Sequence, residues 1–388
     1  MDHYERKVTE ALRCAGIRVV DSYTKSTDPN TDLLDIAVHD NRFFKEVVTK
    51  GSLALGNLYC DGVWDCDDLS ELFHRLLQYR VYEDVVNWRM LLSYTPWAVK
   101  MLVTRPGHEK RSHEVGEHHY DVGNDLYRLM LSEGMMYTCA YWDNGAKTLD
   151  EAQKAKLRLV FDKLGLRSGM RVLDIGCGWG GALKFAAEQY GVRGVGVTIS
   201  KEQAECGRKA CKSLPVDIRL CDYRNVVDGL FDRIFSLGMF EHVGPRYYRV
   251  YMEKARTLLK PDGLFLLHTI TNNETALLTD PWIWDKIFPG GHLPSLGQIS
   301  RAAEGLFVVE DVHNFGYSYY KTLLAWEKNF RENWDVICKS RTGYDEYFYR
   351  MWRYYLLSCA GAYKARHINL HQFVLSPNGV REGYVSIR

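Results

Sequence analysis

From about residue 150 onwards, the chain alternates short apolar runs with amphipathic stretches. The apolar runs are rich in β-branched residues and cover residues 170–176, 192–199, 216–221, 231–237 and 263–270. Stretches with helical spacing, such as GALKFAAEQY, follow the first four runs. This alternation predicts a parallel sheet with helices on both faces, that is, a doubly wound α/β fold. In such a sheet, ligands bind beyond the carboxyl ends of the strands.

The first hundred residues have a different pattern, in which short helical and extended segments are mixed. They predict a small α+β domain that ends with a helical segment, WRMLLSYTPWAVKMLV, at residues 88–103. The next residues are polar, charged and interrupted by Pro106 and Gly107, which places a boundary near residue 105. We therefore divide the chain into an N-terminal domain of residues 1–105, a linker of residues 106–150 and a main domain of residues 151–388.

The composition is that of an ordinary globular protein. Hydrophobic residues make up 46% and charged residues 26%, and the net charge of +1 does not call for a nucleic acid partner. No stretch approaches the roughly 20 apolar residues that span a bilayer, and the first residues lack the apolar core of a signal peptide. Ten cysteines without a C-x-x-C pair favour reduced thiols. We therefore expect a cytoplasmic protein.

The loop after the first apolar run, VLDIGCGWGGAL, carries the first candidate chemistry. Gly176, Gly178 and Gly181 satisfy G-x-G-x-x-G, which is a weak signal by itself. A dinucleotide site also needs an acid about 20 residues further on, and the second run ends without one. Asp174 instead matches the acid-x-G-x-G loop of S-adenosylmethionine-dependent methyltransferases. The loop therefore favours S-adenosylmethionine as the cofactor, with a purely structural glycine turn as the alternative.

Further blocks occur in order around this loop. GVTISKEQ, GMFEHVGP and FLLHTI follow it, HHYDVGNDLYRLMLSEGMMYTCAYW precedes it, and DPWIWDKIFPGG, HNFGYSYYKTLLAW and YYLLSCAGAYKAR lie downstream. From about residue 110 onwards, the chain thus resembles the bacterial cyclopropane-fatty-acyl-phospholipid synthases. The resemblance implies a Rossmann-like methyltransferase sheet with a small N-terminal α+β domain. It also implies methyl transfer from S-adenosylmethionine to the cis double bond of an unsaturated phospholipid acyl chain, followed by closure of a cyclopropane ring.

The resemblance also implies which residues form the site. The family's cofactor contacts correspond to Tyr137, Thr138, Asp174, Gly176, Gly178, Trp179, Gly180, Thr198, Gln203 and Tyr223. The family usually has serine at position 138, and threonine keeps the hydroxyl. The base is thought to be a bound bicarbonate, whose contacts correspond to Cys139, Glu241, His268, Tyr317 and the backbone of Ile270. Cys359 matches a cysteine once favoured as the family nucleophile, and helix packing is its alternative role.

The chemistry of such a reaction supports parts of this set. Methyl transfer to an alkene leaves a carbocation on the lipid, so the pocket must exclude water. Aromatic faces stabilise a cation by about 0.5–2 kcal/mol each. Aromatic residues make up 13% of the chain, and core packing explains most of them. A small held anion is a milder base than a side chain that the cation would alkylate.

Glu241 and His268 occupy the most informative positions. Glu241 follows the fourth apolar run and His268 lies at the end of the fifth, so we expect both at one crevice. Glu241 would accept a hydrogen bond from the bicarbonate O–H, while His268 and Tyr317 would donate to its oxygens. The alternatives are that Glu241 caps the helix that starts near residue 245, that His268 is a satisfied strand-end histidine, and that Cys139 is a small buried hydrophobe. We expect His242 to be structural.

The histidine-rich sequence HEVGEHH lies in the linker. His113, Glu117 and His118 do not form H-E-x-x-H, so we predict a polar linker and cofactor lid and no metal site.

The expected partners depend on the substrate. An acyl chain in a bilayer requires peripheral contact, for which residues 88–103 and the basic residues Arg105, Lys110 and Arg111 are candidates. Interdomain packing is the alternative for the helical segment. We expect a homodimer from the resemblance, no nucleic acid partner, and transient contact with the inner face of the membrane. Two other functions stay open: N-methylation of a cyclic amine, and silent binding of a lipid or cofactor.

Overall fold

The computed structural model describes residues 2–21, 33–85, 88–104, 123–276 and 278–388. The chain forms two compact units, each built from separate parts of the sequence. Unit 1 comprises Met1–Thr104, Leu278–Pro289 and Leu323–His367, and unit 2 comprises Arg105–Leu277, Gly290–Thr322 and Ile368–Arg388. No helix in the described ranges is long and apolar enough to cross a membrane. The predicted linker and contact residues that lie outside these ranges are Arg105, Lys110, Arg111, His113, Glu117 and His118.

The described part of the chain contains both helices and strands. The order is α1 (His3–Arg13), β1 (Ile17–Val20), β2 (Leu34–Val38), α2 (Arg42–Cys60), β3 (Trp64–Cys66), α3 (Leu69–Gln78), α4 (Val81–Val85), α5 (Trp88–Thr104), α6 (Asn124–Met130), α7 (Leu149–Lys163), β4 (Arg171–Ile175), α8 (Gly181–Tyr190), β5 (Arg193–Thr198), α9 (Lys201–Ala210), β6 (Val216–Leu220), β7 (Phe231–Leu237), α10 (Tyr248–Leu258), β8 (Leu259–Asn272), α11 (Pro281–Lys286), α12 (Leu296–Ala303), β9 (Val308–Asn314), α13 (Tyr317–Glu332), α14 (Trp334–Ser340), α15 (Glu346–Lys364) and β10 (Ile368–Ser376). Single 3₁₀ turns are formed by Tyr223–Asn225, Phe240–His242 and Pro245–Tyr247.

Unit 2 contains a seven-stranded sheet with the order β6-β5-β4-β7-β8-β10-β9. The first five strands are parallel, β10 is antiparallel to β8, and β9 is antiparallel to β10. Helices cover both faces, so the predicted doubly wound Rossmann-like fold is confirmed. The order reverses at β4, which pairs with β5 on one side and β7 on the other. The crevice expected at such a reversal therefore lies beyond the carboxyl ends of β4 and β7.

Side-chain alternation along the strands creates two cores, one on each face of the sheet. On β4, Leu173 and Ile175 enter one core, and Val172 enters the other. Residues of α10 and α12 complete the first core, and residues of α7, α8 and α9 complete the second. Because both faces are buried, the strands read as nearly continuous apolar runs in the sequence.

The fifth strand is longer than predicted. β8 covers Leu259–Asn272, so His268 lies within the strand and not at its end. The parallel pairing with β7 stops at Leu237 and His268, while the antiparallel pairing with β10 continues to Asn272. His268 thus still marks the carboxyl end of the parallel part of the sheet.

In unit 1, a helix from the C-terminal part of the chain packs against α3. α15 approaches α3 so closely that a Cβ at Gly361 would lie 2.6 Å from the carbonyl oxygen of Ser70. Lys364 of α15 donates to Glu71 of α3 at 2.6 Å. The sequence-based division into residues 1–105, 106–150 and 151–388 did not include these returns of the chain to unit 1, and it stays a prediction about function.

Candidate active site

The turn between β4 and α8 forms the first side of the site. Gly176 has a φ of +89°, and a Cβ there would lie 2.7 Å from Cβ of Met239, so the position excludes a side chain. Gly178 and Gly180 also have positive φ values. Asp174 near the end of β4 is buried, and burial raises its pKa well above its usual range. Its Oδ1 has no hydrogen-bond partner among the described residues, which leaves a buried oxygen that a polar ligand would satisfy.

The ends of the next two strands carry the other predicted cofactor residues of the sheet. Thr198 ends β5, and its hydroxyl donates to Oε1 of Gln203 at 2.7 Å. This bond orients the Gln203 amide so that its nitrogen is the group remaining for a ligand. Tyr223 is buried in the 3₁₀ turn that follows β6. Since β4, β5 and β6 are neighbouring parallel strands, these residues lie together at the carboxyl ends of the strands.

The helix α6 packs on the glycine turn. Trp179 donates its indole N–H to Oδ1 of Asn124 at 2.8 Å. The Tyr127 ring lies 5.0 Å from the Trp179 ring and 5.1 Å from the Tyr137 ring, measured between centroids. The sequence alone did not single out Asn124 and Tyr127. They lie in a segment that supported the family resemblance as a whole, and neither residue belongs to a recognisable motif. A buried indole N–H needs an acceptor, and here Asn124 supplies it.

The segment that contains Thr138 and Cys139 is held by α7. The side-chain amide of Gln153 donates to the Thr138 carbonyl oxygen, and the Lys156 ammonium donates to the Thr138 hydroxyl, both at 2.8 Å. Cys139 is buried, and burial raises the pKa of its thiol well above its usual range, so the thiol is neutral. Sequence analysis missed Gln153 and Lys156. The available signal was their position on the apolar face of α7, where Lys156 precedes buried Val160 by one turn.

Glu241 lies in the 3₁₀ turn that follows β7. The Ile270 N–H donates to Oε1 of Glu241 at 2.7 Å, while Oε2 has no partner in the part of the chain that the structure describes. Burial raises the pKa of Glu241 to about 7, while the Ile270 N–H and the nearby Thr269 hydroxyl act in the opposite direction. The helix-cap alternative is not seen, because Gly244 and Tyr247 occupy the cap positions of the next 3₁₀ turn and of α10.

His268 lies on β8, the neighbour of β7 in the sheet, and its carbonyl oxygen accepts from the Gly238 N–H at 2.9 Å. Its Nδ1 is 3.2 Å from the side-chain amide nitrogen of Gln372. Because that nitrogen is a donor, Nδ1 accepts and Nε2 carries the ring proton. No described residue accepts this proton. Burial lowers the pKa of His268 well below its usual range, so the ring is neutral.

Tyr317 and Cys359 differ from the other candidates. Tyr317 begins α13 and is 43% exposed, but the same helix contacts the Cys139 segment through Thr322, whose hydroxyl accepts from the Ala140 N–H at 3.1 Å. Cys359 lies on α15 in unit 1, whereas the other five candidates belong to unit 2. Burial raises the pKa of Cys359 to about 12, which disfavours a thiolate nucleophile.

Known proteins resemble this chain over most of its length. Residues 108–373 match the sequence profile of the family described as mycolic acid cyclopropane synthetase. The cyclopropane-fatty-acyl-phospholipid synthase of Escherichia coli strain K12 is 45% identical over 383 residues, which cover 98% of this chain and 95% of that protein. The solved cyclopropane synthase MmaA2 from Mycobacterium tuberculosis is 33% identical with a TM-score of 0.63, covering 68% of this chain and 97% of that one. Mycolic acid cyclopropane synthase CmaA1, solved as a complex with SAH and CTAB, is 34% identical with a TM-score of 0.62, covering 68% and 97% of the two chains.

Proposed function

The chain belongs to the mycolic acid cyclopropane synthetase family, and we propose that it makes cyclopropane rings in the unsaturated acyl chains of phospholipids. The methyl group comes from S-adenosylmethionine and is added to a cis double bond. Glu241 and His268 would hold a bicarbonate ion, which would supply the base for the proton that is lost on ring closure. The name of the Escherichia coli relative supports the phospholipid substrate, and the SAH in the CmaA1 complex supports the cofactor.

One observation carries the proposal for the base. Oε2 of Glu241 and the Nε2–H of His268 are a buried acceptor and a buried donor, and neither has a partner among the residues described. Bicarbonate has one O–H and further acceptor oxygens, so its groups match this acceptor and this donor: it would donate to Glu241 and accept from His268. The Ile270 N–H occupies the other oxygen of Glu241 and so fixes the carboxylate. The donor and acceptor pattern thus supports a small oxyanion at this position.

The chain's own residues would bind, orient and protect the reacting groups. Thr198, Gln203 and Tyr223 would hold the cofactor at the edge of the sheet, next to the glycine turn. When bound, S-adenosylmethionine supplies the electrophilic methyl group, and bicarbonate supplies a base for the proton that leaves it. The buried Phe315 ring lies 5.9 Å from the His268 ring and helps to exclude water from the cationic lipid.

The remaining parts of the proposal rest on the family resemblance and the sequence. We propose that residues 1–105 dock the enzyme on a bilayer, that residues 106–150 form a lid over the cofactor, and that residues 151–388 carry out catalysis. The enzyme would act as a homodimer in the cytoplasm and contact the inner face of the membrane transiently.

The test uses purified protein, S-adenosylmethionine and vesicles of a monounsaturated phospholipid, with and without bicarbonate. We expect the released fatty acids to gain the mass of one methylene, as measured by mass spectrometry, and the gain to depend on bicarbonate. Glu241→Gln keeps the shape and an oxygen for the Ile270 N–H but replaces the acceptor Oε2 with an amide donor. It should lower turnover by at least about 100-fold while S-adenosylmethionine still binds.

Glu253→Gln, which changes an exposed carboxylate on α10, is the control and should retain turnover. Wild-type turnover in Glu241→Gln would reject the role of Glu241. No methylene gain in the wild type would reject the proposed reaction.

A further inference from the structure

Lys156 is a fully buried lysine on α7, with 0% of its surface exposed. Burying an ammonium group is unfavourable unless it has hydrogen-bond partners and opposite charge nearby. Its Nζ donates to Oγ1 of Thr138 at 2.8 Å. Asp174 and Cys139 are near enough to raise the pKa of Lys156, and Lys156 in turn lowers the pKa of His268. The lysine therefore lies among the candidate residues of the site, although the proposed reaction assigns it no role.

Thr138 is held on three sides. The Lys156 ammonium contacts its hydroxyl, and the Gln153 amide contacts its carbonyl oxygen at 2.8 Å, so two successive turns of α7 fix this residue. On the third side, the Thr138 methyl group packs against Gly238. A Cβ at Gly238 would lie 2.7 Å from Cγ2 of Thr138. The side-chain rotamer of Thr138 is thus determined by its surroundings.

The direction of the Lys156 bond decides what Thr138 offers to a ligand. An ammonium group donates only, so the Thr138 oxygen accepts from Lys156 and its own O–H proton is directed elsewhere. A hydroxyl that is polarised by a cation is a strong donor and favours an anionic acceptor. In S-adenosylmethionine, the α-carboxylate is the one anionic group. Asp174, with its unpartnered buried oxygen, is suited to the neighbouring α-ammonium group of the same cofactor.

We propose that Lys156 is a positioning residue that fixes the Thr138 hydroxyl as a donor to the α-carboxylate of the cofactor. The inference rests on the proposed function only in taking S-adenosylmethionine as the cofactor. It makes Lys156 a determinant of cofactor specificity, because ligands without the carboxylate gain nothing from the Lys156–Thr138 pair. Burial lowers the pKa of Lys156 to about 7, and a bound carboxylate nearby favours its charged form.

The test measures binding, without lipid, of S-adenosylhomocysteine and of an analogue that lacks the α-carboxylate, by calorimetry. Lys156→Met removes the donor and keeps the length of the side chain. We expect it to weaken S-adenosylhomocysteine binding by about tenfold and to leave binding of the analogue within about twofold of the wild type. Thr138→Val should have the same effect. The double variant Lys156→Met/Thr138→Val should lose no more affinity for S-adenosylhomocysteine than either single variant, because the two residues act as one unit. Thr138→Ser keeps the hydroxyl and should bind like the wild type.

Lys163→Met is the matched control, since Lys163 is a second buried lysine on the same helix. Its Nζ contacts Nδ1 of His313 at 3.0 Å and Asp311 at 3.6 Å, so its loss should lower stability without changing the ratio of the two affinities. The proposal would be overturned if Lys156→Met weakened binding of both ligands equally or left it unchanged. It would also be overturned if the losses of affinity in Lys156→Met and Thr138→Val were additive. If Lys156→Met does not fold, Thr138→Val and Thr138→Ser still decide whether the hydroxyl discriminates between the ligands.

The result of these binding measurements can be distinguished from the result of the lipid assay. A chain that shows the expected affinity ratios but forms no cyclopropane contradicts the proposed reaction and leaves this inference standing. A wild-type chain that does not bind S-adenosylhomocysteine contradicts both.

Discussion

At the scale of single residues, the site is characterised by buried polar atoms whose partners are incomplete within the described chain. Oδ1 of Asp174, Oε2 of Glu241 and Nε2 of His268 are all of this kind. A buried polar group without a hydrogen bond lowers the free energy of unfolding by about 1–3 kcal/mol. Proteins retain such groups where a ligand satisfies them, so we expect stability and function to be coupled at these positions.

The titration of Glu241 gives a prediction about stability. Its pKa is about 7 in the folded chain, against an ordinary value of 4.5. Between these two values the folded state holds a proton that the unfolded state has lost, so the free energy of unfolding falls as the pH rises through this window. Glu241→Gln removes the titrating group. We expect its free energy of unfolding, relative to the wild type, to rise by about 3 kcal/mol from the acid to the alkaline side of the window.

Urea denaturation at several pH values measures this difference. Glu253→Gln on α10 is again the control, because the exposed residue should show no comparable trend. A constant difference between Glu241→Gln and the wild type across the window would contradict the raised pKa.

Gly238 offers a second prediction at this scale. Its φ is +69°, and an added Cβ would meet Cγ2 of Thr138 at 2.7 Å. Gly238→Ala should therefore lower the free energy of unfolding by about 1–2 kcal/mol through backbone strain and also weaken binding of S-adenosylhomocysteine by displacing Thr138. Gly165→Ala is the control, since Gly165 has a φ of +56° and no atom within 4 Å of the added Cβ. It should lose stability only. Equal ligand affinity in both variants would show that the position of Thr138 does not matter for binding.

At the scale of secondary-structure elements, helices flanking the sheet determine how the loops are held. α6 contacts the glycine turn through Asn124, and α7 contacts the Thr138 segment through Gln153 and Lys156. Each helix has an apolar face that joins it to the core, and the polar residues within or beside that face bind the loops. The candidate binding residues of the loops are thus positioned by side chains that lie 15 to 55 residues away in the sequence.

Helix α5 provides the prediction about the membrane. Val99 on α5 is 53% exposed, although it lies in an apolar and aromatic segment. If α5 contacts lipid, Val99→Asp should weaken binding to anionic phospholipid vesicles by about tenfold, because it removes an apolar contact and adds repulsion. Cosedimentation with vesicles measures the effect. Val227→Asp changes an 88% exposed valine of unit 2 and is the control. Val99→Asp that sediments like the wild type would exclude α5 from the contact surface.

At the scale of the whole molecule, each unit combines segments that are far apart in the sequence. In unit 1, Arg350 of α15 donates to the Tyr59 carbonyl oxygen at 2.6 Å and forms an ion pair with Asp65 at 2.7 Å. Its guanidinium carbon lies 4.1 Å from the centre of the Tyr59 ring. Deletion of residues 1–105 would therefore remove the packing partners of α15, so membrane docking is better tested by single substitutions.

Arg350→Met should lower the free energy of unfolding by about 3 kcal/mol, because it breaks a half-buried ion pair and removes the donor to the carbonyl oxygens of Tyr59 and Trp64. Chemical denaturation followed by tryptophan fluorescence measures the change. Arg341→Met, at an exposed position near the start of the same C-terminal segment, is the control and should stay within about 0.5 kcal/mol of the wild type. Equal stability of the two variants would show that α15 is not held through Arg350.

The parallel part of the sheet and the glycine turn could be predicted from the sequence because their signals are local. β-branched runs, helical spacing and the acid-x-G-x-G loop each depend on neighbouring residues, and the strands were predicted to within a few positions. The family-like sequence segments, in their order along the chain, were also sufficient to identify the family. The match to the family profile and the similarity to the Escherichia coli enzyme confirm it. β9 and β10 were not predicted, because the two strands complete the sheet by antiparallel pairing with segments that are distant in the chain.

Tertiary structure alone decided which polar atoms lack partners and which helices hold the loops. The Ile270 N–H of β8 holds Oε1 of Glu241, and only the fold shows that Oε2 is left without a partner among the described residues. The proposed role of Lys156 likewise depends on the packing of α7 against Thr138. The same holds for α15, which belongs to the unit formed by the first hundred residues. Hydrogen bonds and burial between distant segments leave no periodic trace in the sequence, whereas strand and helix patterns do, because backbone geometry repeats every few residues.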